Sequence, residues 1–210
     1  MNIDYSLYLV TDKNLAGKKS VLSIVALAIE GGVTIVQYRE KNASTRLMIE
    51  EGRALHKITT KAGIPLIIDD RIDVALAIDA EGVHVGQSDM PANIVRQIIG
   101  REKILGVTAS NVVEAKKAVK DGADYLGVSD IFGSTTKTDT GKPVGIGMLK
   151  KIKKVVKIPI VGIGGVTLEN ANQVIRARAD GIAVISAVFL VNEPKLAAEK
   201  LKKIVSEAKS

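Results

Sequence analysis

The sequence predicts an α/β fold, a single-domain (β/α)8 TIM barrel spanning residues 1–210, and three observations carry that prediction. Short β-branched runs recur eight times, and a segment of helical periodicity follows each run. No Pro-, Ser- or Gly-rich linker and no shift in composition divides the chain. The runs are nearly continuous in apolar residues rather than alternating, as parallel strands covered on their outer faces must be. An open doubly wound sheet is the competing architecture.

The elements follow in order. Residues 7–10 lead to helical periodicity over 20–30, closed by Gly31 and Gly32, and residues 33–39 lead to 45–62, closed by Gly63. Residues 65–69 precede a short amphipathic stretch over 70–78, and residues 82–85 precede 94–99. Residues 104–108 are followed by 112–120 and Gly122; residues 125–128 reach 148–156 only after a long loop. Residues 158–163 pair with 168–176, and residues 181–185 pair with 194–208. The glycines just ahead of strands, Gly31, Gly32, Gly63, Gly82, Gly122 and Gly181, fit helix C-caps that let the chain turn back.

Composition narrows the chemistry. A hydrophobic content of 46% suffices for one continuous core. No run approaches the roughly 18 apolar residues of a membrane span. Met1-Asn2-Ile3-Asp4 lacks the layout of a secretory signal, so a cytoplasmic protein without a membrane partner is expected. The absence of cysteine excludes disulfides, thiolate metal sites, iron–sulfur clusters and a cysteine nucleophile. Two histidines, His56 and His84, cannot build a three-histidine zinc site within one chain, which leaves oxygen ligands and favours magnesium. The net charge of +7 resides largely in amphipathic segments such as 150–157 and 195–209, where solvated helix faces explain the lysines. With 3% aromatic residues and no tryptophan there are few platforms for stacked bases, so no nucleic-acid partner is expected. Phosphorylated small molecules are the expected partners, and a homo-oligomer is compatible with the sequence.

In a barrel, function gathers where strands end and helices have not begun. The second strand runs into Gln37-Tyr38-Arg39-Glu40-Lys41, and period-2 geometry sends Gln37, Arg39 and Lys41 to one side. One amide and two cations aimed together suit a polyanion such as pyrophosphate. A surface network of Arg and Lys with Glu40 is the plainer alternative. The third strand ends in Asp69-Asp70-Arg71 and the fourth in Gly86-Gln87-Ser88-Asp89, so both bring carboxylates to the same rim, as magnesium ligands or as helix N-caps. The loop after the sixth strand carries Ser134, Thr135, Thr136 and Lys137, able to close over phosphate or to serve as a solvated connection. After the seventh and eighth strands come Gly162-Ile163-Gly164-Gly165 and Ile185-Ser186, the positions of phosphate-binding loops in barrels; the glycines could equally serve tight packing.

From Tyr8-Leu9-Val10-Thr11-Asp12 to Ile185-Ser186 the chain resembles the thiamine phosphate synthase family, also called thiamine-phosphate pyrophosphorylase. The resemblance is carried by Gln37-x-Arg39-x-Lys41, Asp70-Arg71, His84-x-Gly86-Gln87-x-Asp89, Thr136-Lys137-x-Asp139 and Pro159 to Gly165. It implies a magnesium-dependent transferase that condenses hydroxymethylpyrimidine pyrophosphate with hydroxyethylthiazole phosphate, releasing pyrophosphate through a dissociative, carbocation mechanism. It further implies that Gln37, Arg39, Lys41, Asp69, Thr108 and Lys137 hold the pyrimidine pyrophosphate, with Tyr38 and Glu40 in the same stretch. Arg39, Thr108 and Lys137 would be catalytic, and Asp70 and Asp89 would bind magnesium. Ser134, Thr135, Thr136, Gly165, Ile185 and Ser186 would face the thiazole phosphate. Leaving-group departure needs a metal and cations more than a nucleophile, which agrees with the inventory.

The chain departs from the family pattern at several positions. Asp69 replaces the usual Asn, Thr108 the usual Ser, and Ser110-Asn111 the usual His-Thr, while Gly133 and Ser134 stand where Pro-Thr is common. Asp69 would either join the metal ligands or weaken the pyrimidine site. Two other functions share these features: a thiazole tautomerase-like barrel, which needs no pyrophosphate clamp, and a non-catalytic regulatory barrel that binds a phosphate ligand.

Overall fold

The computed structural model of the protein describes residues 3–133 and 143–209. The elements run β1 (Leu7–Val10), α1 (Lys13–Ala16), α2 (Val21–Glu30), β2 (Ile35–Tyr38), α3 (Thr45–Ala62), β3 (Leu66–Asp69), α4 (Ile72–Ile78), β4 (Gly82–Val85), α5 (Ala92–Ile99) and β5 (Ile104–Ala109). They continue with α6 (Val112–Lys120), β6 (Tyr125–Val128), α7 (Gly145–Lys153), β7 (Ile160–Ile163), α8 (Ala171–Arg176), β8 (Gly181–Val184), α9 (Ser186–Phe189) and α10 (Pro194–Lys209). The eight strands are hydrogen-bonded in sequence order, every pair is parallel, and β8 pairs with β1, so the sheet is a closed barrel. The open-sheet alternative is thereby excluded.

Closure divides the apolar residues into two layers. Along each strand alternate side chains face opposite sides. Tyr8, Ile35, Ile67, Ile104, Tyr125, Val161 and Ala183 form an interior cluster inside the barrel. Their neighbours, among them Leu7, Leu9, Val36, Leu66, Ile68, Leu105 and Leu126, belong to a second cluster packed against the helices. Both sets are buried, which is why the strands read as unbroken apolar runs. No helix among the described residues is long and apolar enough to cross a membrane.

The differences from the sequence reading lie at element ends. The stretch 70–78 begins as helix only at Ile72, because Asp70 takes a left-handed backbone (φ 59°) and turns the chain first. The periodicity over 148–156 is shifted forward to Gly145–Lys153, and 158–163 becomes strand only from Ile160. Gly82 and Gly181 are not C-caps but first residues of strands. A Cβ on Gly82 would lie 2.7 Å from the Ile104 Cβ, and one on Gly181 would lie 2.6 Å from the Tyr5 carbonyl carbon, so close strand approach explains them. Two single-turn helices escaped the periodicity because they are too short to show one. In α1, the Asp12 carboxylate caps the end by accepting from the amides of Asn14 at 3.0 Å and Leu15 at 3.1 Å.

The amino-terminal face of the barrel is closed by a device repeated on every second strand. The first amide of β1 donates to Thr34 Oγ1 at 3.2 Å, and that of β3 to Glu81 at 2.8 Å. The Leu105 amide, second in β5, donates to Asp124, and the first amide of β7, that of Ile160, donates to Asp180, each at 2.7 Å. Thr34, Glu81, Asp124 and Asp180 stand just ahead of β2, β4, β6 and β8, so each acceptor locks one strand to the next. The three carboxylates are in turn paired with His56, Arg96 and Lys153. Removing an acceptor leaves a strand amide unpaired. The substitution Asp124→Ala should therefore lower stability by about 1–3 kcal/mol; an unchanged urea midpoint would show that the Leu105 amide finds water instead.

Candidate active site

The polar residues that end the strands are brought together at one rim, supported from below by a polar stack inside the barrel. Gln37 on β2 is buried and donates from Nε2 to the Tyr8 hydroxyl at 3.0 Å. Two residues on, Arg39 lies with Nε 3.5 Å from Asp69 and Nη1 4.0 Å from Asp12. Its backbone is fixed by Thr11, whose Oγ1 accepts from the Arg39 amide at 3.0 Å. Lys41 reaches across to Asp70, with which it forms an ion pair.

Asp70 owes its position to the turn that ends β3. Its amide donates to the His84 carbonyl at 2.8 Å, so the chain stays tied to β4 while the left-handed backbone swings the carboxylate toward Asp89. Aspartate tolerates that backbone region better than most residues. Asp89 accepts from the Gly86 amide at 2.8 Å, and its side chain shares a hydrogen bond with Asp70. Burial and the neighbouring Asp89 push the Asp70 carboxyl above the ordinary carboxylate range. Burial acts on Asp89 in the same sense, but the hydrogen bonds from Asp70 and the Gly86 amide, with Lys41 nearby, outweigh it and hold Asp89 below that range. Neither aspartate caps a helix: α4 is preceded by Arg71 and α5 by Pro91.

Two converging carboxylates, one reluctant to ionise because of burial and of the other, are hard-oxygen donors of the kind that divalent cations take. Among the described residues no cluster of three or more metal-ligating side chains exists. Asp70 and Asp89 thus fit an ion that keeps most of its ligands as water and substrate oxygens, the habit of magnesium.

Other sequence candidates fall differently. The Tyr38 side chain is corrected out of the anion site: it points away from the barrel interior, its ring is part of the outer core, and its hydroxyl donates to Glu51 on α3 at 2.7 Å. The reason is the strand period, which puts Tyr38 opposite Gln37. Glu40 turns back to accept from the Asn42 amide at 2.8 Å. Thr108 sits half-buried at the end of β5, with Oγ1 2.8 Å from His84 Nε2. Gly164 and Gly165 have positive φ (102° and 64°), and a Cβ on Gly165 would meet the Gly133 carbonyl oxygen at 2.6 Å, so the segment after β6 packs directly on this loop. That contact is reinforced by the amides of Ile131 and Phe132, which donate to the carbonyls of Ile163 and Gly164 at 2.9 and 3.0 Å. Ile185 is buried in the interior cluster and Ser186 opens α9. Ser134, Thr135, Thr136 and Lys137 lie outside the described residues.

Sequence reasoning missed Asp12 and Thr11, which steady Arg39, and gave no role to Tyr8, Tyr125 or His84. The hydroxyls of Tyr8 and Tyr125 meet at 2.7 Å, and Tyr125 lies 2.9 Å from His84 Nδ1. Room for this stack comes from glycine: a Cβ on Gly106 would lie 2.5 Å from His84 Nδ1 and closer still to the Tyr125 ring, and one on Gly127 would lie 3.1 Å from His84 Cε1. Two glycines facing two aromatic rings across adjacent strands were the available signal.

The fold and this cluster define a (β/α)8-barrel enzyme with its polar site at the carboxyl ends of the strands. The model of a family described as thiamine monophosphate synthase matches residues 7–188, and the chain belongs to that family. It is 54% identical over 204 residues to the thiamine-phosphate synthase of Chloroflexus aurantiacus, covering 97% of this chain and 94% of that one. It is 47% identical over 200 residues to the thiamine-phosphate synthase of Roseiflexus castenholzii, covering 95% and 88%. The solved structure of thiamine phosphate pyrophosphorylase from Pyrococcus furiosus superposes with a TM-score of 0.90 at 40% identity, covering 99% of this chain and 98% of that one.

Because Tyr125 and His84 occupy the space a side chain on Gly106 would need, Gly106→Ala should force both to move. Overpacking of this kind costs about 1–3 kcal/mol. A denaturation midpoint equal to that of the parent protein would mean that the stack yields without cost.

Proposed function

We propose that this chain is a thiamine-phosphate synthase, joining hydroxymethylpyrimidine pyrophosphate to hydroxyethylthiazole phosphate with release of pyrophosphate. The observation that carries the reading is the meeting of Arg39, Lys41, Asp70 and Asp89 at one rim, in a chain 54% identical to a protein named for that activity. The conclusion extends to the substrate roles that the family resemblance implies for Gln37, Arg39, Lys41 and Thr108 around the pyrimidine pyrophosphate. By the same resemblance Lys137 would join them at the pyrophosphate, and Ser134, Thr135, Thr136, Gly165, Ile185 and Ser186 would face the thiazole phosphate.

The chemistry asks for charge rather than for a nucleophile. In a dissociative reaction the carbon–oxygen bond to pyrophosphate breaks first, leaving a cation delocalised over the pyrimidine, and the thiazole nitrogen then attacks the exocyclic carbon. Negative charge grows on the departing pyrophosphate, so preorganised cations beside it stabilise the transition state more than the ground state. Arg39 lies between Asp69 and Asp12, at 3.5 and 4.0 Å, and their carboxylates draw its guanidinium to the rim before substrate arrives. Lys41 is the more exposed charge. It sits on Asp70, ready to exchange that carboxylate for a phosphate oxygen. A magnesium ion held by Asp70 and Asp89 would supply further charge neutralisation on the leaving group. Asp69, where the family usually has Asn, has its charge answered by Arg39, which supports a role in orienting the guanidinium rather than in holding metal.

The test is an assay with both precursors, with and without magnesium. Product from the pair supports the reading; isomerisation of the thiazole alone would point to the tautomerase, and no turnover to a binding protein. Asp89→Ala should abolish magnesium-dependent turnover while leaving the melting temperature within a few degrees. Full activity would remove Asp89 from the site. Lys137→Ala should slow turnover by roughly 10²–10³-fold, the usual loss for one preorganised charge or donor, and parental kinetics would refute its role at the pyrophosphate.

A further inference from the structure

The barrel interior holds a continuous chain of hydrogen bonds whose middle members, Tyr8, Tyr125 and His84, have no part in the reaction just described. Gln37 Nε2 donates to the Tyr8 hydroxyl (3.0 Å), Tyr8 meets Tyr125 (2.7 Å), Tyr125 meets His84 Nδ1 (2.9 Å), and His84 Nε2 meets Thr108 Oγ1 (2.8 Å). Five strands contribute one residue each, and the chain ends at the rim. Tyr8 and Tyr125 are fully buried, and burial raises both phenols far above their ordinary range, so each remains a hydroxyl with one proton to give.

Proton counting sets the direction. Gln37 donates to the Tyr8 oxygen, and among the described hydrogen bonds Tyr125 is the acceptor that remains for the Tyr8 proton; the proton of Tyr125 then goes to His84 Nδ1. An imidazole that accepts at Nδ1 carries its hydrogen on Nε2, and that N–H faces Thr108 Oγ1. Thr108 then receives a hydrogen bond from below and keeps its own proton for the rim, where it is partly exposed. Run backwards, the chain would have Thr108 donate to His84 and present only lone pairs to the rim, which repel an anion.

We infer that Tyr125 and His84 are positioning residues that lock the Nε2–H tautomer of His84 and so make the Thr108 hydroxyl a hydrogen-bond donor to the diphosphate group of the substrate. This rests on the reading of the rim as a diphosphate site, but the direction of the chain does not. The departing diphosphate offers only acceptors, so a hydroxyl whose polarity is set in advance needs no reorganisation as charge develops.

Two measurements separate the parts. In ¹⁵N-labelled protein without substrate, two-bond ¹H–¹⁵N correlations should show His84 neutral and protonated at Nε2. His56, the chain's other histidine, is assigned by His56→Gln. A ring protonated at Nδ1, or at both nitrogens, overturns the inference whatever the activity of the enzyme. In the condensation assay, Tyr125→Phe should lower kcat about tenfold, Thr108→Val at least as much, and the double variant no more than Thr108→Val alone, because both changes remove one donor. Multiplicative losses, or parental turnover by Tyr125→Phe, would make Tyr125 merely structural and overturn the inference. Failure of the parent protein to join the two precursors, with the Nε2–H tautomer intact, would strike the proposed function and leave the hydrogen-bond chain standing.

Discussion

Closure of eight parallel strands into one barrel is the constraint from which the other features follow. A closed sheet has no edge to shed polar groups and no second layer to fill its inside, so every alternate side chain must share one narrow interior. Most of that interior is aliphatic, but Tyr8, Tyr125, Gln37 and His84 are also in it, and a buried polar atom without a partner is costly. Their mutual hydrogen bonds resolve the conflict and create a polar column that ends at the rim. Gly106 and Gly127 belong to the same solution, since the column stands where their side chains would be.

The two ends of the barrel put charge to different uses. At the amino-terminal face, Glu81, Asp124 and Asp180 each accept from a strand amide and each has a cationic or histidine partner. Those carboxylates are satisfied and serve cohesion. At the carboxyl-terminal face, Asp70 and Asp89 are set against one another, with Lys41 in an ion pair with Asp70. Such an arrangement is poor for stability and good for taking up a cation and an anion together. The left-handed backbone of Asp70 is part of the same bias toward binding.

Much of this was legible in the residues. All eight strands and the eight longer helices are visible as runs and periodicities, because burial on both faces of a parallel strand and on one face of a helix leaves a pattern in composition alone. The rim candidates were legible too, since a polar cluster immediately after an apolar run can only lie at a strand's end. The strand period already set Tyr38 opposite Gln37 and Arg39; what the pattern could not say was which of the two sets faces the barrel interior and which the helices, and the closed sheet decides that. Nor could it show that Gly82 and Gly181 serve strand contact instead of helix ending, because both readings place glycine just after a helix.

The sequence by itself determined the barrel and the chemical kinds of group available: oxygen donors and cations, with no thiol. Those properties are local or additive, and a linear pattern carries them. Tertiary structure alone decided which charges meet: Lys41 with Asp70, Arg39 between Asp12 and Asp69, and Tyr8 with Tyr125 across 117 residues of chain. Hydrogen bonds and ion pairs act over a few ångströms in space, and the closing of the sheet, not distance along the chain, sets that separation.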